Sequence, residues 1–473
     1  MDSLADLSLI EAADRVRDGT LTSVALTEAC LARVDSCDEA LNAFIALDWD
    51  GALAAAARAD TELASGQVRG PLHGVPLAHK DMFYRAGRIA GCGSLLRRNF
   101  VPKVTATVLR RLDDAGALDL GRLNMSEFAA GPTGHNEHHG HCHNPWELDH
   151  ISGGSSSGSA AATAAGLVFG AMGSDTGGSV RLPAAMCGLV GLKPTYGRVS
   201  RFGCMPRAFS MDTMGPLART VADCALLTGV ISGADENDAT ASREPVPDYL
   251  SELDRGIRGW RVGVPADDFF DDLAPGLAGA LAESLRVLEA HGATIVKIDL
   301  PDLEPLYALG DTLSKCEAAR IHTQWMKTTP EQYGAHTHTR VEAGFHIPAI
   351  RYIEALSLRA THLQRFTTAV FNHVDVLHVP VIGMEVPTIA DTDHQGADGV
   401  PALVAAVTRL TRPFNYLGLP ALSVPCGFSS AGLPYAFQLI GRPFGEGALF
   451  RCAATYEAGT AWHRTRPAIS QER

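Results

Sequence analysis

The chain has 473 residues, 46% of them hydrophobic, which is ample for a large buried core. Its formal net charge is -13 and no lysine or arginine block interrupts it, which argues against nucleic acid and anionic membranes as partners. The longest near-apolar stretch, 160–173, falls short of the ~20 residues that a membrane helix needs.

The N-terminal run Met1-Asp-Ser-Leu-Ala-Asp-Leu has neither the basic region nor the apolar region of a secretory signal. Residues 8–47 read as two helices. Leu9, Ala12, Ala13 and Val16 face the core in the first, and Gly19 ends it. Thr22 or Ser23 caps the second, whose apolar face holds Leu26, Cys30, Leu31 and Val34. An alanine-rich helix follows over 51–65. A strand over 74–78 runs into a turn at Lys80. The pattern then gives a helix over 105–116, a strand over 117–121, a loop over 131–159, an alanine helix over 159–167 and a strand over 168–172.

Residues 232–257 are polar and loop-like. Strands are expected at 260–264, 294–298, 375–379 and 421–425. Leu277, Leu281, Leu285 and Leu288 mark a helix between the first two, and 300–372 is mostly helical. Strands alternate with helices throughout, which predicts an α/β fold around a mixed, twisted sheet with helices on both faces. A length prior of ~150 residues per domain suggests about three domains. No linker composition divides the chain, so one domain over 1–473 is expected, with a motif-rich core at about 65–230. The ten cysteines are scattered and form no CxxC pair, as in a reducing compartment, so a cytoplasmic location is expected.

The chemistry concentrates in three segments. Ser179 lies in Gly173-Ser-Asp-Thr-Gly-Gly-Ser-Val-Arg-Leu-Pro183, downstream of Ser155 in Gly153-Gly-Ser-Ser-Ser-Gly-Ser159. Lys80 ends Pro71-Leu-His-Gly-Val-Pro-Leu-Ala-His-Lys80. Glycines at 177 and 178 let backbone N–H groups converge on one point, where they suit a developing oxyanion. A serine hydroxyl needs a base. A lysine serves only if burial keeps it neutral. The competing reading is a pair of glycine turns around a phosphate, although neither run fits the dinucleotide fingerprint or the P-loop.

Two further patterns are decoys. Gly154-Ser-Ser-Ser-Gly158 formally matches the G-x-S-x-G elbow, but nothing singles out the downstream Asp and His that it requires. Gly134-His-Asn-Glu-His-His-Gly-His-Cys-His143 holds five histidines and a cysteine, without a ligand-spaced partner motif. No metal or cofactor is expected. These imidazoles are expected to pack or hydrogen-bond near the mouth of the site, with the remainder solvated.

From about residue 8 to residue 460 the chain resembles the amidase signature family. The Lys80 segment, Leu123-Asn-Met-Ser-Glu-Phe128, Asn144-Pro-Trp146 and residues 153–195 carry the resemblance. Ser210–Arg219, Gly418–Leu422 and Gly432–Gly441 complete it. The resemblance implies a Ser–cis-Ser–Lys triad with Ser179 as nucleophile, Ser155 as relay and Lys80 as base. It implies oxyanion donors from the backbone of Thr176, Gly177, Gly178 and Ser179, with Ser156, Asp175 and Arg181 in support. Phe128, Ala129 and Gly131 are expected to line the substrate pocket, and 125–143, 300–390 and 411–416 to set specificity. Ser174, His79 and Ala436 depart from the residues common in the family, and none removes a catalytic group.

The implied activity is amidohydrolysis of a small or aryl amide through an acyl-enzyme, with a hydrazide, urea or carbamate as alternative substrates. A second reading is the glutaminase component of a tRNA-dependent amidotransferase. The expected partner is a small-molecule amide, and self-association into a dimer is left open.

Overall fold

The computed structural model of the chain describes residues 4–266, 272–393 and 400–470. Helix α1 (Leu9–Arg17) opens with a capping box in which Ser8 and Glu11 exchange side-chain and backbone hydrogen bonds. Thr22, not Ser23, caps α2 (Ser23–Leu41) by accepting from the Ala25 N–H. The left-handed Asn42 ends that helix. The next residues, expected to be helical, form strand β1 (Phe44–Leu47) instead. Asp48 then caps α3 (Trp49–Ala64).

Strand β2 (Pro76–Lys80) lies two residues later than the sequence suggests and carries Lys80 as its last residue, not in a turn. After α4 (Thr107–Asp114) comes β3 (Leu118–Leu123). Helix α5 (Ser157–Ala164) starts and stops earlier than expected, because Gly166 adopts φ 72 and closes it. Strand β4 is accordingly displaced to Gly170–Asp175. Helix α6 (Arg181–Met186), β5 (Val190–Lys193), β6 (Thr213–Ala218) and α7 (Val221–Ile231) follow.

The second half begins with β7 (Arg261–Pro265), α8 (Pro275–Ala290) and β8 (Thr294–Ile298). A helical stretch comprises α9 (Glu304–Thr328), α10 (Ala335–Glu342) and α11 (Ala349–Phe371). Strand β9 (Val376–Pro380), short α12 (Ile389–Thr392), α13 (Val400–Thr408) and α14 (Arg412–Leu417) lead to β10 (Ala421–Phe428), β11 (Pro434–Ile440) and α15 (Glu446–Ala458).

Among the described residues, eleven strands join one mixed sheet in the order β1-β3-β2-β4-β6-β5-β10-β11-β9-β7-β8. Strand β2 runs parallel to both β3 and β4, and β4 runs antiparallel to β6. Helices cover both faces. A Cβ on Gly173 would meet Ser156 at the start of α5, whereas one on Gly170 would meet Leu227 of α7 and Leu9 of α1. An odd offset along a strand puts those neighbours on opposite sides. Every residue of α5 is buried, so the segment carrying the serines is locked into the core. Among the described residues no helix is long and apolar enough to cross a membrane.

Candidate active site

Lys80, Ser155, Ser156 and Ser174 converge at the end of β2. All four are fully or almost fully buried. Lys80 Nζ lies 2.7 Å from Ser155 Oγ, 3.0 Å from Ser156 Oγ and 2.9 Å from Ser174 Oγ. Its three partners are hydroxyls, which accept from an ammonium or donate to a neutral amine equally well. Among the described residues no carboxylate pairs with it. Burial lowers Lys80 from 10.5 to about 7, against the opposing pull of Asp175 and Asp212. A lysine in this setting exchanges its proton near neutrality.

The Ser155 carbonyl accepts from the Ser126 N–H at 3.2 Å. The Gly154–Ser155 peptide is cis. Ser156 Oγ also lies 3.3 Å from the Ser174 backbone N–H. Ser179 occupies the turn between β4 and α6, where it is half-buried and faces a cavity. Its hydroxyl makes no hydrogen bond among the described residues, so the Ser155-to-Ser179 link of the implied triad is open in this state.

Asp175 shapes that turn. It accepts from the Gly178, Val180 and Arg181 N–H groups and pairs with the Arg181 guanidinium at 3.0 Å. Burial alone would raise its carboxyl, but Arg181, Lys193 and Asn415 hold it well below the usual carboxylate range. Gly178 needs its missing side chain: it sits at φ 125, and a Cβ there would lie 2.4 Å from Thr411 Oγ1.

This arrangement changes the expected set of oxyanion donors. The Gly178 N–H is taken by Asp175 at 2.8 Å. The N–H groups of Thr176, Gly177 and Ser179 have no acceptor among the described residues and remain available.

Four supports of the turn carry no signal in the sequence. Arg181 also reaches Gln438 on β11 at 2.8 Å and Asn415 on α14 at 2.7 Å. Thr411 donates to the Gly177 carbonyl at 2.7 Å, and Asp212 accepts from the Thr176 hydroxyl at 2.5 Å. The family-like blocks around 210–219 and 432–441 contain Asp212 and Gln438, but nothing in their spacing shows which side chain reaches the turn.

The cavity before Ser179 has a free volume of about 30 Å³ and is bounded by Ala129, Gly131, Thr176 and Gly177 among others. Phe128, expected beside Ala129, does not line it. Its ring is buried against His322 and Trp325, at centroid distances of 4.5 and 5.4 Å. An apolar ring gains more from that aromatic cluster than from a polar cavity wall.

The histidine loop is engaged in local bonds. His135 Nε2 lies 2.8 Å from Thr392 Oγ1, His138 Nε2 lies 3.0 Å from Glu127 Oε1, and His143 Nδ1 lies 2.7 Å from the Leu148 carbonyl. Among the described residues no group of three or more His, Cys, Asp or Glu is disposed to hold a metal ion.

Comparison with known proteins adds the family. The amidase family model matches residues 25–450. The A subunit of the glutamyl-tRNA(Gln) amidotransferase of Chloroflexus aggregans is 39% identical, with all of both chains aligned. A solved chain from a vestigial protein complex bearing on the origins of an s-triazine catabolic enzyme superposes with TM-score 0.89 at 32% identity, over 96% of this chain and 98% of that one. The A subunit of the glutamyl-tRNA(Gln) amidotransferase of Thermotoga maritima superposes with TM-score 0.80, also at 32% identity, over 96% of this chain and 95% of that one. With a buried lysine caged by serines and a family model matching nearly its whole length, this chain belongs to the amidase family of C–N hydrolases.

Proposed function

We propose that the chain hydrolyses a small amide through an acyl-enzyme on Ser179, with Lys80 as base and Ser155 as relay. The observation that carries this reading is the 2.7 Å contact between a lysine lowered to about 7 and Ser155, within a cage of hydroxyls. Neutral Lys80 takes the Ser155 proton as Ser155 takes that of Ser179. Ser179 Oγ then bonds to the amide carbon. The free N–H groups of Gly177 and Ser179 face the developing oxyanion, a form of stabilisation worth roughly 10²–10³-fold per donor. The proton returns along the same path to the leaving nitrogen, and the C–N bond breaks. Water, activated by the same pair, splits the ester.

The relay requires the Ser179 hydroxyl to turn toward Ser155. Such contacts often tighten only when substrate binds. The catalytic groups fall within 65–230, while Ser314 and Arg340 of the helical stretch reach the cavity, which supports a substrate-selecting role for 300–390.

A second reading makes the chain a glutaminase that hands ammonia to a partner enzyme. The names of its relatives favour this over a stand-alone amidase, because the match to the Chloroflexus amidotransferase component covers both chains completely. The acyl-enzyme chemistry is common to both readings.

The test is Ser179→Ala. The variant should lose turnover and labelling by a fluorophosphonate while keeping its melting temperature. Labelling that persists in this variant, or turnover within tenfold of wild type, sinks the assignment.

A further inference from the structure

The cavity before Ser179 carries a charge that amide hydrolysis does not require. Arg207, Arg340 and Arg412 line it beside Ser314 and Thr408, and among the described residues no aspartate or glutamate does. The three guanidiniums come from separate elements: the loop before β6, helix α10 and the first turn of α14. Arg207 and Arg412 are only 6% and 9% exposed. Even so, Arg207 Nη1 and Arg412 Nε have no hydrogen-bond partner among the described residues. Neither Arg207 nor Arg340 forms an ion pair there.

The acids nearby are occupied. Asp311 pairs with Arg412 and Lys315. Asp212 accepts from Thr176 and from the N–H groups of Arg207 and Ala208. Burial first, and then repulsion from Arg412, lower Arg207 and Arg340 to about 10, so both stay cationic at neutral pH. Buried cations without partners are costly unless an anion completes them. Planar guanidiniums suit a carboxylate, which they bind with paired hydrogen bonds.

Building on the acyl-enzyme reading, we infer that the substrate is an amide bearing a carboxylate and no ammonium group, the monoamide of a short dicarboxylic acid. Its carboxylate sits among Arg207, Arg340 and Arg412, and its amide carbon faces Ser179. The cavity's free volume of about 30 Å³ is far below the ~300–1,000 Å³ of pockets for drug-sized ligands, which favours a short spacer. Ser179 Oγ bonds to the amide carbon, the C–N bond breaks, and the nitrogen leaves as ammonia with the proton taken from Ser179. Water then releases the dicarboxylate and restores the serine. Glutamine would bring its α-ammonium into a site with three cations and no free carboxylate, so it is selected against.

The test measures ammonia release by the full chain from malonamate, succinamate and glutaramate, from the matching diamides, and from glutamine. In parallel, malonate, succinate and glutarate are used to protect Ser179 from a fluorophosphonate. The best monoamide should exceed its diamide, and glutaramate should exceed glutamine, about 10–100-fold in kcat/KM, as loss of charged hydrogen bonds implies. At least one dicarboxylate should slow labelling. Arg340→Gln should collapse the monoamide-to-diamide ratio, and Arg340→Lys should restore part of it.

Equal rates for diamide and monoamide, glutamine matching glutaramate, or no protection by any dicarboxylate would overturn the inference. A protein that resists the fluorophosphonate yet gains melting temperature with succinate would sink the acyl-enzyme reading and leave the anion site standing.

Discussion

Replacing Lys80 with alanine tests the base directly, and the structure sets the size of the effect. With its ionisation at about 7, roughly nine-tenths of Lys80 is neutral at pH 8, against about one part in 300 for an exposed lysine. Burial thus multiplies the available base about 300-fold, and keeping the amine in that site costs its charged form about 5 kcal/mol. The assay is single-turnover acylation of Ser179 followed across the pH range. The rate should rise through one ionisation near 7 and then level off. Lys80→Ala should lose about 10²–10⁴-fold, the usual worth of a general base, and lose that ionisation as well. A flat profile with acylation rate-limiting, a rise centred on the ordinary lysine value, or an ionisation near 7 that survives in Lys80→Ala would refute the reasoning.

Arg181→Met leaves the buried Asp175 carboxylate without its partner, and should cost about 3–5 kcal/mol in urea denaturation; a loss below about 1 kcal/mol would show that the pair does not hold the turn. Gly178→Ala drives a Cβ to 2.4 Å from Thr411 Oγ1 at φ 125. It should displace Ser179 and cut kcat about 10²-fold, and unchanged kcat would dismiss the steric argument. Lys193 is also fully buried and lowered to about 7, with the Pro194 carbonyl 2.8 Å from Nζ. Between pH 7 and 10.5 the unfolded chain holds a proton that the folded chain lacks. Wild-type stability should therefore gain on that of Lys193→Met by up to about 1.4 kcal/mol per pH unit as pH rises through that window. Unfolding free energies that differ by the same amount at pH 7 and pH 9 would contradict it.

Lys80, Ser155 and Ser179 are legible in the sequence because each lies beside glycine or proline turns that few other purposes explain. The structure brings the first two into contact and leaves the third facing the cavity. The clamp around Asp175 is not legible. Arg181 meets Gln438 and Asn415 across about half the chain, and no local pattern encodes such a pairing. Strand β1 is hidden because its only stop signal is Asn42, one left-handed residue inside a helix-compatible run. Strands β5, β6 and β11 are buried along their whole length, so the alternation that marks a half-exposed strand is absent. Phe128 departs from its expected place for a related reason. Its neighbour Ala129 does line the cavity, but the backbone at both residues adopts positive φ and turns the ring away into the aromatic cluster.

Strand β2 imposes a constraint of another kind. It holds β4 through the pairs Ala78–Ala171 and His79–Met172, and its last residue pairs with Leu123 of β3. Adjacent side chains on a strand leave on opposite sides, so His79 points away from the serines and lies 3.6 Å from Asp119. One residue inserted between Pro76 and His79 would turn the imidazole toward the serine cage and carry Lys80 past it to the opposite face. Loops around the cavity tolerate changes of length, and through them the choice of amide is free to drift. The length of β2 has no such freedom: divergence there must proceed by substitution, never by insertion or deletion, for hydrolysis to survive.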